Sequence, residues 1–252
     1  MNTPTINALT KVPEVTLVFW IVKIAATTLG ETGGDAVSMS MNYGYLFSTI
    51  IFAVIFFTAV IAQIKANKFH PILYWTTIIA TTTVGTTLAD FVDRSLGIGY
   101  AGGTSLLLVL LFGSLFIWFR TLGSVSVSTV SSPKAEMFYW LTIMFSQTLG
   151  TALGDWTADT AGFGYTGAAI VFGSLLVLVV ALYYWTTVSK TLLFWSAFIL
   201  TRPLGAVVGD FLDKPVSAGG LALSRYSASA FLFAFILISL LLFKQHAAKK
   251  FH

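Results

Sequence analysis

The sequence contains no cysteine, only three histidines and few charged residues. Without cysteine the chain can form no disulfide, no thiolate metal site and no cysteine nucleophile. His70 falls in a short loop and His246 and His252 in the C-terminal tail, which excludes intramembrane haem ligation by histidine. Charged residues make up 10% of the chain, against about a quarter in a soluble domain, so it cannot cover itself with a solvated surface.

Apolar runs long enough to form membrane-spanning helices dominate the chain instead. The 252 residues are 56% hydrophobic, with a mean hydropathy of +0.86. This pattern predicts an all-α, polytopic membrane protein whose surroundings are the lipid bilayer. We expect eight transmembrane helices, at 15–37, 45–64, 71–92, 100–120, 136–158, 165–187, 191–212 and 226–244.

One short motif, a glycine followed five residues later by an aspartate, occurs four times. It is GETGGD at 30–35, GTTLAD at 85–90, GTALGD at 150–155 and GAVVGD at 205–210. Each first glycine follows a tryptophan by ten residues, at Trp20, Trp75, Trp140 and Trp195. The spacing predicts four parallel helical-hairpin repeats. Their ranges are 15–64, 71–120, 136–187 and 191–244, with a linker at 121–134 and a basic tail at 245–252.

The basic residues indicate the orientation of the helices. Most lysines and arginines precede the first helix, follow even-numbered helices or lie in the tail. By the positive-inside rule both termini are cytoplasmic and the aspartate ends of the odd-numbered helices face outward. The net charge of +4 therefore reflects topology and not nucleic-acid binding. Because the first apolar run carries the first repeat, we expect no cleavable signal peptide.

The repeat places two kinds of residue on neighbouring helix faces. Glycines with small-xxx-small spacing predict close helix packing and nothing more specific. They are Gly30, Gly34, Gly85, Gly150, Gly154, Gly205 and Gly209, with Ala89 replacing the second glycine of the second repeat. The other face, which we call the polar lane, carries the residues 7, 11 and 15 positions after each tryptophan. These are Thr27, Glu31, Asp35; Thr82, Thr86, Asp90; Gln147, Thr151, Asp155; and Arg202, Ala206, Asp210.

The four lane aspartates lie near the edge of the membrane. At ~1.5 Å per residue, Asp90 and Asp210 are about 28 Å along their helices, close to the far side of a ~30 Å hydrocarbon core. They are therefore either interfacial residues or a functional tetrad with Asp35 and Asp155. The helix dipole disfavours anions at C-terminal ends, and the fourfold placement also favours function. We expect the second acidic ring, Asp93, Asp159 and Asp213, to be solvated.

Three charged residues lie deeper, where an unpaired charge is costly. Lys23 extends the first lane one turn inward, at a depth of about 12 Å, and Arg202 lies at a comparable depth. Two hypotheses stay open. Glu31 forms a structural ion pair with Arg202 or Lys23, or Glu31 is the titrating carboxylate of a coupling site that the two cations control.

The converging carboxylates favour a membrane transporter or channel for a cation. Oxygen ligands from Asp35, Asp90, Asp155 and Asp210 suit a divalent ion such as Mg²⁺, Mn²⁺ or Ca²⁺, and Glu31 adds a fifth carboxylate. The same groups can carry protons. We expect a small cation or proton as partner and no cofactor other than a bound divalent cation. The sequence is also compatible with a homo-oligomer.

Two other classes compete with transport. An intramembrane aspartyl protease needs two carboxylates in a GxGD context, whereas here the glycines are four apart and four aspartates recur, so we expect no enzyme. No serine, histidine or phosphate-loop constellation indicates another enzyme class. A non-transporting scaffold or sensor would use the lanes only for interhelical packing and ion pairs. A bound ion, or water reaching the tetrad, would argue against it.

The fourfold W-x(9)-G-x(3)-[GA]-D pattern, with NYG, GIG and GFG turns before Tyr45, Tyr100 and Tyr165, resembles a known family. It is a bacterial membrane-protein family described only as carrying a repeat of unknown function, with members loosely labelled membrane-anchored proteins. The resemblance covers the chain from Trp20 to about Tyr226. It implies four repeats in a bacterial inner membrane and no specific activity.

Overall fold

A computed structural model describes residues 10–248 of the chain, and its regular structure is almost entirely helical. Residues 1–9, and residues 249–252 of the expected basic tail, lie outside this range. The described part contains eight α-helices that begin and end within a few residues of the predicted spans. They are α1 (Leu17–Asp35), α2 (Gly44–Lys65), α3 (Pro71–Asp90), α4 (Gly99–Leu122), α5 (Pro133–Asp155), α6 (Gly164–Trp185), α7 (Lys190–Asp213) and α8 (Arg225–Leu242).

Local sequence explains where these helices begin. Pro71 and Pro133 open α3 and α5, where the missing N–H has no partner to lose. The hydroxyl of Thr16 accepts a hydrogen bond from the Phe19 N–H at 3.2 Å, and that of Ser132 caps α5 in the same way.

The first three repeats turn in the same way. After the lane aspartate each odd helix continues for five residues as a π-helical turn, at 36–40, 91–95 and 156–160. The NYG, GIG and GFG triplets follow, and their first and third residues have positive φ. Only glycine and, at Asn42, asparagine adopt this conformation at little cost, which explains the triplets. The fourth repeat has no π-helical turn, and a 3-10 turn at 216–218 precedes α8 instead.

The odd-numbered helices form a closed inner ring in the order α1, α3, α5, α7 and back to α1. Each even-numbered helix packs outside this ring, against the odd helix of the next repeat: α2 on α3, α4 on α5, α6 on α7. The last helix, α8, packs on α1 and completes the circle. Each hairpin therefore packs against the next one, and these contacts join the four repeats into one bundle.

The described helices have the composition of a multi-pass membrane protein, and the outer helices are more apolar than the inner helices α1, α3 and α5. Five helices are long and apolar enough to cross a bilayer: α2, α4, α6, α7 and α8. Little of α2, α4, α6 and α8 is buried, and they present apolar faces suited to lipid. The remaining helices are of similar length but less apolar, because they carry the threonines, glycines and acids of the lanes.

We call the end of the bundle at which the odd helices begin the tryptophan end. The opposite end, at which they finish, is the aspartate end. The N-terminal segment covers the tryptophan end, where Val12 is buried in the aromatic cluster. Lys11 Nζ lies 2.7 Å from the buried Glu136 carboxylate, and Pro13 forms an isolated bridge with Ala247 near the opposite terminus. Residues 11–13 and Ala247, near the two limits of the described range, therefore lie at the same end of the bundle.

Candidate ion path along the bundle axis

Polar and aromatic side chains form five layers across the inner ring, each with one residue from every odd helix. Successive layers are four residues apart, a rise of about 6 Å. From the tryptophan end they are the aromatic layer (Phe19, Tyr74, Tyr139, Phe194), the lysine layer (Lys23, Ile78, Ile143, Phe198), the arginine layer (Thr27, Thr82, Gln147, Arg202), the glutamate layer (Glu31, Thr86, Thr151, Ala206) and the aspartate layer (Asp35, Asp90, Asp155, Asp210). All of these side chains are buried or nearly so. The structure thus brings the predicted lane residues of all four repeats together.

The repeat glycines make this convergence geometrically feasible. A Cβ placed on Gly30 would lie 2.9 Å from Cβ of Thr82, and one placed on Gly209 would lie 2.7 Å from Cβ of Glu31. Gly85, Gly150 and Gly205 meet the arginine-layer residue of the following helix in the same way, at Gln147, Arg202 and Thr27. Each packing face therefore receives the polar lane of the next helix, and this contact is repeated around the ring.

The repeat tryptophans make an equivalent contact at the other end. Each aromatic-layer ring packs against the tryptophan of the next odd helix: Phe19 on Trp75 at 5.4 Å between centroids, Tyr74 on Trp140, Tyr139 on Trp195 and Phe194 on Trp20. The hydroxyls of Tyr74 and Tyr139 are 2.7 Å apart and hydrogen-bonded. This layer closes the tryptophan end of the axis.

Arg202 lies at the centre of the bundle. Its Nη2 donates to the Glu31 carboxylate at 3.0 Å, to Thr86 Oγ1 at 2.6 Å and to Thr151 Oγ1. One guanidinium thus contacts all three other inner helices, and its side chain is 0% exposed. Of the two pairings left open for Glu31, the structure has the one with Arg202. Lys23 instead places Nζ 4.2 Å from the centre of the Phe198 ring.

The four lane aspartates are buried and paired with cations, not solvated at an interface. Lys214 Nζ lies 2.6 Å from Asp35 and 3.0 Å from Asp210. Arg94 bridges the other two in the same way, at 3.0 Å from both Asp90 and Asp155. Tyr45 and Tyr100 accept further hydrogen bonds from Arg94. Two cations therefore span the aspartate end of the axis, each between two carboxylates from adjacent inner helices.

These contacts determine how the two bridging cations titrate. Burial by itself lowers the pKa of Lys214, but the carboxylates of Asp210 and Asp35 outweigh it and raise the pKa above its ordinary value. The pKa of Arg94 is raised for the same reason by Asp90 and Asp155, against the effect of burial. Both groups remain charged over the physiological pH range.

The expectation that the second acidic ring is solvated is wrong for two of its three members. Asp93 and Asp213 are buried, whereas Asp159 is exposed. The π-helical turn after α3 directs Asp93 against Gly103 of α4, and Asp213 pairs with Arg225 at 2.6 Å. Burial raises the pKa of Asp93 to about 6, although the Arg94 guanidinium lowers it.

Sequence reasoning missed the bridging residues Arg94 and Lys214, which it treated only as topology signals. A spacing signal was present. Arg94 follows Asp90 by four residues and Lys214 follows Asp210 by four, the separation at which helical side chains meet. The ion pair of Lys11 with Glu136 carries no comparable signal, because the two residues are distant in sequence.

Three aspartates at this end approach the geometry of a cation site. One carboxylate oxygen from each of Asp35, Asp210 and Asp213 lies within 4.8 Å of the others. Lys214 Nζ contacts all three, at 2.6, 3.0 and 4.0 Å. Its ammonium group therefore stands where a metal ion held by these oxygens would stand. The predicted metal tetrad of Asp35, Asp90, Asp155 and Asp210 is distributed between this group and the Arg94 group.

The sequence pattern of one protein family, described as Repeat of Unknown Function (DUF347), matches residues 18–69, 73–124, 138–189 and 193–247. The chain belongs to this family. The four matches each contain one odd and one even helix, which agrees with the four predicted repeats. Comparisons with curated proteins and with solved structures gave no match.

Proposed function

We propose that this DUF347 protein is a membrane transporter or channel for a cation, with its path along the axis between the odd-numbered helices. One observation carries the proposal: buried carboxylates outnumber cations at the aspartate end. Six buried aspartates face three basic residues, Arg94, Lys214 and Arg225; they are Asp35, Asp90, Asp93, Asp155, Asp210 and Asp213. A buried excess of negative charge is stabilised by binding protons or metal cations.

Lys214 supplies a physical route for cation entry. A divalent ion that takes the oxygens of Asp35, Asp210 and Asp213 displaces the Lys214 ammonium, which the residue directly after α7 carries. Carboxylate oxygens suit Mg²⁺, Mn²⁺ or Ca²⁺. When the divalent ion leaves, Lys214 pairs with the aspartates again. The lysine ammonium therefore competes with the transported ion for the same carboxylates. Protonation of the same carboxylates would release Lys214 in a proton-coupled cycle.

The deeper layers supply the barrier that transport must control. Glu31 is the next carboxylate inward, about 6 Å from the aspartate layer, and it is neutralised by Arg202. Beyond it, the aromatic layer closes the axis. In this proposal the aspartate end is the outer mouth, both termini are cytoplasmic, and the membrane is the bacterial inner membrane. Self-association within the bilayer remains a prediction. The chain acts as a transporter and not as an enzyme or a nucleic-acid binder.

A scaffold or sensor is the second candidate, and the centre of the bundle favours it. Arg202 joins all four inner helices through direct contacts, as an interhelical ion-pair network would. In this alternative the lanes serve only to hold the ring together. The two functions differ in one respect: in a transporter an ion moves past the buried carboxylates, and in a scaffold none does.

Flux through reconstituted vesicles separates the two. We expect wild-type protein to move protons, detected with an internal pH dye, or a divalent cation, detected with a Mn²⁺- or Mg²⁺-sensitive dye. Changing Asp35, Asp90, Asp155 and Asp210 together to Asn should abolish the flux, whereas the exposed Asp159→Asn control should not. Thermal unfolding of the quadruple variant shows whether it is folded. Unchanged flux in a folded quadruple variant contradicts the proposal.

A further inference from the structure

Four buried side chains around the axis present polar atoms without hydrogen-bond partners among residues 10–248. They are Lys23 Nζ, Thr82 Oγ1, both amide atoms of Gln147, and Nε and Nη1 of Arg202. Each of the four residues is 0% exposed. Buried polar atoms nearly always have a partner, and leaving one unpaired costs about 1–3 kcal/mol, more when it is charged.

These atoms share one region of the bundle and come from all four inner helices. Thr82, Gln147 and Arg202 belong to the arginine layer, and Lys23 is one helical turn nearer the tryptophan end. Gly85 packs against Gln147, with a distance of 3.1 Å from a placed Cβ to Gln147 Cβ, and Gly150 packs against Arg202 in the same way. The aromatic layer closes the region on one side and the Arg202–Glu31 pair closes it on the other.

The unpaired atoms call for a ligand that accepts hydrogen bonds. Lys23 Nζ and Arg202 Nε and Nη1 only donate, as does Gln147 Nε2, and Thr82 can donate. Only the Gln147 carbonyl must accept. The pairing agrees, because Glu31 is the carboxylate of this region and already pairs with Arg202, which leaves Lys23 without an anionic partner among residues 10–248. The next carboxylates, in the aspartate layer, are about 12 Å from the arginine layer along the axis and already paired with Arg94 and Lys214.

We infer that Lys23, Thr82, Gln147 and Arg202 form a buried binding site for a small monovalent anion, of the size of a halide or nitrate. One such ion provides the anionic partner that Lys23 lacks and accepts hydrogen bonds from donors on all four inner helices. Charge-assisted hydrogen bonds of this kind are about twice as strong as neutral ones. The site lies on the side of Arg202 away from the aspartates, and it stands whether or not a cation moves along the path.

Bromide binding to purified full-length protein tests the inference. The unfolding temperature in detergent, followed by tryptophan fluorescence, is measured in sodium bromide and in sodium gluconate at equal ionic strength. We expect a saturable rise in bromide for the wild type, which nitrate reproduces. Lys23→Met and Gln147→Leu should each weaken bromide binding by about tenfold or more, because each removes a buried donor. The exposed Lys68→Met control should keep the full response.

Anomalous diffraction from bromide-soaked crystals gives the position. A peak in contact with Lys23, Gln147 and Arg202 supports the site. Peaks only at the surface, or no difference between bromide and gluconate for the wild type, overturn it and indicate that water fills the region. A bromide response that persists in both Lys23→Met and Gln147→Leu also overturns it. Wild-type protein that binds bromide but moves no cation in vesicles contradicts the proposed function alone.

Discussion

At the scale of single residues, Arg202 carries the largest structural role. Its guanidinium contacts the other three inner helices, and the Glu31 carboxylate, 3.0 Å away, offsets its charge. A buried charge that loses its partner has neither water nor a counter-ion. The pair is therefore a point at which a one-atom change has a large effect on stability.

Glu31→Gln should lower the free energy of unfolding by about 3–5 kcal/mol, because Arg202 then stays buried without a carboxylate. Arg202→Met should also destabilise, but the double variant should lose much less than the sum of the two. Denaturant unfolding in mixed micelles of all four proteins measures the coupling. Additive losses would show that the two side chains do not act as a pair.

Asp93→Asn should change how stability depends on pH. Because the pKa of Asp93 is raised by burial to about 6, the folded protein binds a proton more tightly than the unfolded chain does. This carboxyl therefore stabilises the fold less as the pH rises from about 4 to 6. The variant lacks that loss, so its unfolding temperature relative to wild type should be higher at pH 7.5 than at pH 5. The exposed Asp159→Asn is the control, and an equal difference at both pH values would contradict the expectation.

At the scale of helices, the glycine and lane faces determine how neighbours meet. Sequence spacing predicted both faces and the eight helices, because i and i+4 positions share a face whatever the tertiary structure. It did not predict that α2 packs on α3 or that α8 packs on α1. The outer helices are apolar on nearly all faces, because most of their surface contacts lipid. Their sequences therefore do not indicate which face contacts an inner helix, or which inner helix that is.

Gly30→Ala should destabilise the bundle, whereas Gly33→Ala, three residues later in α1, should not. A methyl group at Gly30 would lie 2.6 Å from Thr82 Oγ1, but at Gly33 the nearest atom, Ser229 Oγ, is 4.0 Å away. We expect a loss of about 1–3 kcal/mol for the first and a gain of up to about 1 kcal/mol for the second. Unfolding of both variants in the same detergent makes the comparison. Equal effects would mean that this helix contact is not tight.

At the scale of the whole molecule, four similar repeats enclose an axis that is no longer symmetric. Glu31, Arg202 and Lys23 each occur in a single repeat, and only two of the four repeats supply a bridging cation, Arg94 and Lys214. The lane positions and the depth of Lys23, Glu31 and Arg202 could be anticipated from sequence. The spacing also indicates the pairs Asp90–Arg94 and Asp210–Lys214, but not the second contact of each cation, which depends on how the turns after α3 and α7 fold over the axis. We propose that this axis is a path for ions and not only a packed core.

Cysteine accessibility tests that claim most directly, because the chain has no cysteine of its own. Ala206 in the glutamate layer and Ala168 in the apolar cluster between α6 and α7 are both 0% exposed. Each is changed to cysteine, and the protein in lipid vesicles is treated with a membrane-impermeant, cationic methanethiosulfonate. We expect Ala206→Cys to be modified, because the aspartate end opens and admits water and cations. Ala168→Cys should not be modified. Absence of modification at both positions would contradict it and favour a scaffold.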